Sequence, residues 1–167
     1  MIHTAWCLGI LAALSVQAKD NPEYEHWANC KPGSWVKFKI EGEMRGQKFE
    51  MTETAKLLEV TQEKCVVEHT RAGKVGPQEL PPQVQKEDVK AKDEEPDKVL
   101  REGEEEIEVD GKKFKCRVID LEKAKDKSTM KIWVTKEIPG GVVRGEISPP
   151  PGQKGVMKIT SVGWEKK

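Results

Sequence analysis

Past residue 18 the chain holds two histidines, His26 and His69, and three cysteines, Cys30, Cys65 and Cys116. A thiol nucleophile needs a base within hydrogen-bond reach and a third group that orients the base. Cys65 and His69 share a face if their segment is a strand, but four residues then span about 13 Å, too far for proton transfer. His26 and Cys30 would approach only on a helix continued through Lys31, and no third group accompanies them in sequence. A hydrolase built on Cys30 or Cys65 therefore ranks last among the functional readings; a packed cysteine and a surface histidine are the ordinary ones. The cysteines lack the paired spacing of a zinc site, and their odd count permits at most one internal disulfide. Asp93-Glu94-Glu95 and Glu104-Glu105-Glu106 lack the alternating Asp/Asn and Gly of a calcium loop. No glycine-rich phosphate loop, nucleophile elbow or HExxH is present. The expectation is no catalytic set, no metal and no cofactor.

Aromatics offer more. Tyr24 and Trp27 lie three residues apart, on one face of a short helix predicted over Asn21–Asn29, where Pro22 and two early acidic residues mark the start. Trp35 opens the first long strand. Trp133 falls by parity among Thr129, Lys131 and Thr135, opposite Met130, Ile132 and Val134. Either the sheet buries both faces there, or Trp133 covers the opening of a concave surface. Tyr24, Trp27, Trp35 and Trp133 are the candidate ligand-binding residues, since aromatics with a polar handle suit clefts and interfaces.

The elements that must position them are mostly strands. Trp35, Val36, Phe38 and Ile40 alternate with Lys37 and Lys39, and two further strands follow over Lys48–Thr61 and Lys64–Arg71. Thr54–Val60 also reads as helix. Residues 72–103 are rich in Pro, Gly and charge and read as a long exposed excursion. Glu104–Val109, Asp110-Gly111 and Lys112–Glu122 form a hairpin with a type I′ turn. Strands over 129–135, 142–148 and 156–164 complete the chain, the last with a bulge or bend near Ser161. The predicted fold is mainly β: a curved antiparallel meander, an open half-barrel of about eight strands with a short N-terminal helix.

Residues 1–18 contain no Lys, Arg, Asp or Glu and end in Val16-Gln17-Ala18, as a secretory signal peptide does. Positive charge before the apolar run comes only from the α-amino group and His3, so an uncleaved anchor stays open as the alternative. Residues 19–167 then form one domain, with no stable membrane span after signal removal, exported to the periplasm, the cell envelope or the outside. The chain carries 29 basic and 29 acidic side chains, which argues against bulk attraction to nucleic acid or anionic membrane. The charges are unevenly placed: five basic and ten acidic in 86–106, fourteen and eight in 107–167. Lys112, Lys113, Lys115 and Arg117 form a basic stripe, but Phe114 alternates away from it, so nucleic-acid stacking is not expected.

Three stretches carry a resemblance: Gly33-Ser34-Trp35-Val36-Lys37-Phe38, Glu105–Cys116, and Lys131-Ile132-Trp133 followed by Ile138-Pro139-Gly140-Gly141-Val142-Val143. The pattern resembles small bacterial exported proteins of unassigned function. It is similar to the periplasmic lipoprotein-carrier type of fold, an open antiparallel half-barrel with a helix over its mouth. The resemblance implies strand and turn residues and no catalytic group. The leading expectation is a non-enzymatic exported protein that binds an apolar or amphipathic ligand, or a partner protein. The alternative is a structural or interaction module of the cell envelope.

Overall fold

A computed structural model of the chain describes residues 19–44, 46–93, 96–153 and 155–167; the expected signal segment lies outside them. The chain runs through β1 (Lys19–Asp20), α1 (Pro22–Ala28), β2 (Trp35–Met44), β3 (Gln47–Val60), β4 (Lys64–Val75), β5 (Gln78–Lys90) and β6 (Lys92–Asp93). It continues through β7 (Lys98–Val109), β8 (Lys112–Glu122), β9 (Thr129–Val134), β10 (Val142–Ser148) and β11 (Met157–Glu165).

Nine strands form one antiparallel sheet in the order β5-β4-β3-β2-β11-β10-β9-β8-β7, while β1 and β6 make a two-stranded ribbon. Every neighbour except β2–β11 is also a sequence neighbour, so short turns supply most of the topology. In the β7–β8 hairpin Asp110 and Gly111 have φ of 50° and 76°, the pair of positive values that the type I′ turn requires. The bulge expected near Ser161 is present as a register shift between Ser161 and Gly163.

The sheet is not flat. β7 and β11 stand four strand spacings apart, about 19 Å in a flat sheet, yet they touch. The rings of Phe114 on β8 and Trp164 on β11 meet edge to face at 5.5 Å. Register shifts with an extra residue in β3, β5, β7, β10 and β11 provide the bends, because an extra residue in one strand raises the local twist.

Asn21 caps α1 by accepting the Glu23 N–H at 3.0 Å, and Pro22 sits where no donor is needed. The helix lies on β3, β4 and β5. Its Trp27 joins a core with Val36, Leu57, Cys65, Val67, Phe114, Trp133 and Ile138. Along β8 the buried parity changes: Phe114 and Cys116 are buried, then Ile119. Its two halves therefore bury opposite faces.

One open reading is resolved in favour of the expected strand, and one expectation changes. Thr54–Val60 is strand, because Ala55 and Leu57 face the core at a period of two. The excursion over 72–103 is also largely strand: β4 reaches Val75, β5 fills 78–90 and β7 begins at Lys98. β5 is an edge strand exposed on both faces for most of its length, so it needs no apolar alternation. Backbone pairing with β4 from Lys90 to Gln78 holds it. Pro81 and Pro82 fit because they fall at the register shift on an edge.

Candidate functional site

Residues paired across a ladder share a face, so the register shows which side chains line up. One line crosses the sheet from Ile119 to Ile132, Gly145 and Ile159. It continues to Ile40, Met51, Gly73 and Leu80. The line beside it runs from Leu121 to Met130, Ile147 and Met157, then to Gly42, Phe49 and Val75. Two adjacent rows, each spanning at least seven of the nine strands, are thus apolar apart from three glycines. Of their apolar side chains, Ile40 and Ile119 are buried, at 7% and 6% exposure, and neither joins the core under α1. The remaining apolar members keep partial solvent contact.

The reverse side of these rows is charged. Lys131 pairs with Glu146, Glu146 with Lys158, Lys158 with Glu41 and Glu41 with Glu50. Lys39 adds an ion pair to Glu41 at 2.8 Å. This half of the molecule is therefore a single layer, wet on one side and apolar on the other. The one helix among the described residues packs on β3, β4 and β5, where Trp27 meets Leu57, Cys65 and Val67, and not over the rows. Soluble monomers rarely expose a contiguous apolar patch beyond a few hundred Å², and larger ones mark binding surfaces.

Between the rows and the helix-covered core lies a charged cluster. Glu53, 8% exposed, takes His69 Nδ1 at 2.6 Å on Oε1 and the Arg71 Nε–H at 2.5 Å on Oε2. Burial would raise the Glu53 pKa, but the hydrogen bonds from His69 and Arg71 outweigh it and the net shift is downward. His69 moves up, chiefly through its bond to Glu53. Its Nε2 is buried without a hydrogen-bond partner among the described residues, 3.6 Å from Glu87 Oε2. Glu23 on α1 completes the set. It keeps solvent contact, yet desolvation and then Glu87 raise its pKa, while His69 draws it down.

The candidate aromatics are dispersed. Tyr24 and Trp27 sit together on α1: Tyr24 packs on the core and donates its hydroxyl to Thr61 O at 2.7 Å, and Trp27 is buried. Trp35 lies on the face opposite Val36, against Gly163, and donates to Glu165 Oε2 at 3.2 Å. Trp133 donates to Glu105 Oε2 at 2.8 Å and carries Lys131 Nζ 4.6 Å above its ring. Trp133 and Val134 point to opposite faces and both are buried, so the sheet is covered on both sides at the end of β9. None of the four belongs to the apolar rows. Sequence reasoning saw Met130, Ile132 and Val134 on one face but could not see Ile132 aligned with Ile159, Ile40 and Met51, because alignment depends on pairing.

An open depression of about 460 Å³ is lined by Glu104, Glu105, Glu106, Lys115, Cys116 and Arg117. These are three consecutive residues on each of two paired strands, whose side chains alternate faces, so the depression is not a one-sided cleft. The three cysteines are free and buried. Burial pushes the Cys65 and Cys116 thiols up to about 11, away from a reactive thiolate. Cys30 Sγ donates to the backbone oxygen of His26 rather than to its ring. Among the described residues no group of three His, Cys, Asp or Glu side chains is placed to hold a metal, and no helix is long and apolar enough to cross a membrane.

No protein-family model matches the chain, and no curated protein matches it in sequence. Two solved structures align over 87% of this chain and 92% of theirs. One is a DUF1329 family protein from Desulfovibrio piger, at 10% identity and a TM-score of 0.33. The other is a LolA superfamily protein from Nitrosomonas europaea, at 8% identity and a TM-score of 0.29.

Proposed function

We propose that this chain is a non-enzymatic binding protein of the periplasm or cell envelope that holds an apolar or amphipathic ligand on its single-layer half. The observation that carries this reading is the pair of apolar rows on a sheet whose other face is charged. Leaving such a surface wet costs roughly 25 cal/mol for each Å² that an occupant would cover, so an apolar ligand gains that amount by lying there. The first eighteen residues, which lack Lys, Arg, Asp and Glu and end in Val16-Gln17-Ala18, support export. High thiol pKa values and a histidine already committed to Glu53 support a role without covalent chemistry.

The test is titration with N-phenyl-1-naphthylamine, whose fluorescence rises in apolar surroundings. Wild-type protein should show saturable enhancement, and Ile159→Glu, which puts charge mid-row, should reduce affinity about tenfold or more while unfolding cooperatively. Absence of saturable binding by a folded wild type would sink the ligand reading. An interaction module is the second reading, favoured by the outer side of β5, which no other strand joins among the described residues and where Val84 is 64% exposed. It predicts capture of an envelope partner that Val84→Lys abolishes and Ile159→Glu does not.

A further inference from the structure

We propose that the charged cluster beside the apolar rows receives the head group of the same ligand, and that this head is anionic, a carboxylate or a phosphate ester bound by Arg71. The inference rests on the reading of the rows as a ligand surface and names the class of molecule that surface takes.

Position comes first. Glu53 and Arg71 are direct partners in the β3–β4 ladder, and the next pair facing the same way is Met51 and Gly73, a member of the apolar line. The guanidinium therefore stands one step, about 7 Å along the strand, from the place where an alkyl chain would end. Gly73 has no side chain to stand between them.

Geometry comes second. Only Nε of Arg71 is engaged, by Glu53 Oε2; no hydrogen bond or ion pair among the described residues takes the two terminal nitrogens. A bond through Nε fixes the plane of the guanidinium and leaves its outer edge free. That edge carries parallel N–H groups matched to two oxygens of a carboxylate or phosphate. The Arg71 side chain is 47% exposed, so a ligand can reach it. Glu53 is the positioning residue: at 11% side-chain exposure it is fixed by the sheet and holds both His69 and Arg71.

Charge comes third. Two carboxylates, Glu53 and Glu87, face two basic groups, His69 and Arg71. Glu23 on α1 adds a third carboxylate beside His69 and Glu87, so the preference for an anion rests on the free edge of the Arg71 guanidinium, whose Nε is held by Glu53, and not on the net charge of the cluster. A cationic head would lie against the guanidinium.

The experiment measures dissociation constants of the full folded chain for dodecanoate, monododecyl phosphate, dodecanol and dodecyltrimethylammonium, each below its micelle concentration. Wild type should bind at least one anionic amphiphile about tenfold tighter than dodecanol, the worth of a charge-assisted hydrogen bond. Arg71→Met should remove that preference by weakening anion binding far more than dodecanol binding, and Arg71→Lys should restore part of it. Preference for dodecanoate alone or for the phosphate alone identifies the source of the anion. Equal binding of all head groups by wild type, which needs no variant, overturns the inference while the ligand reading stands. So does a preference that survives Arg71→Met. Binding of none of the four chains would remove the ligand reading and this inference together.

Discussion

The cluster of Glu53, His69 and Arg71 concentrates the titration behaviour of the protein. His69 is raised on folding, so the stability it adds is complete below its ordinary value of 6.5 and disappears as pH rises through the folded value. Glu53 is lowered, so its contribution is present above 4.5 and disappears as pH falls through the folded value. The combined contribution is therefore greatest between about 4.5 and 6.5. Thermal melts should show wild type losing more stability from pH 6 to pH 8 than His69→Gln does. A variant that tracks wild type across that range would refute the assignment. Glu53→Gln should cost roughly 2–4 kcal/mol in urea denaturation, because it strips the buried carboxylate from a largely covered histidine and a half-exposed arginine. Sequence inspection found His69 but set it against Cys65. Its real partner, Glu53, is sixteen residues away on the neighbouring strand, a closeness that pairing creates and spacing conceals.

Among the elements, α1 packs closely against the β9–β10 connection. Gly140 and Gly141 have φ of 70° and 81°, and a Cβ at either would fall within 3 Å of Trp27 or His26. The Ile138-Pro139-Gly140-Gly141 turn thus does two things: it reverses the chain and lets the helix sit against it. Trp27 holds α1 there, while the Tyr24 hydroxyl ties the helix to Thr61, between β3 and β4. Gly141→Ala should cost about 2 kcal/mol or more, from left-handed strain added to a clash with the His26 ring. Gly111→Ala, with the same backbone sign and nothing within 4 Å, should cost about 1 kcal/mol. Urea midpoints of the two variants measure the difference, and equal losses would show that the close packing of α1 contributes nothing. The turn itself was legible, as were α1 and the Asp110-Gly111 hairpin, because each rests on local backbone chemistry. β5 was not, since an exposed edge strand can be charged on both faces and is held by the backbone of β4.

At the scale of the molecule the sheet has two regions of unequal support. The end under α1 is backed by a packed core, while the end carrying the apolar rows is one layer thick. Amide exchange should follow this division, with the N–H groups of Ala55, Leu57 and Val67 exchanging slowest and those around Met51 and Gly73 opening earlier. Uniform protection along β3 and β4 would contradict it. Saturating a bound amphiphile should slow exchange in the second region selectively. By itself the sequence determined the class of fold, the short capped helix, most strand positions and the absence of any recognisable catalytic motif, because alternation, caps and turns are written in neighbouring residues. Tertiary structure decided the rest. Pairing of β2 with β11 joins two meanders so that Ile132, Ile159, Ile40 and Met51 fall in one line, and it is register, a relation between distant segments, that turns separate alternating strands into a continuous apolar surface with a charged end.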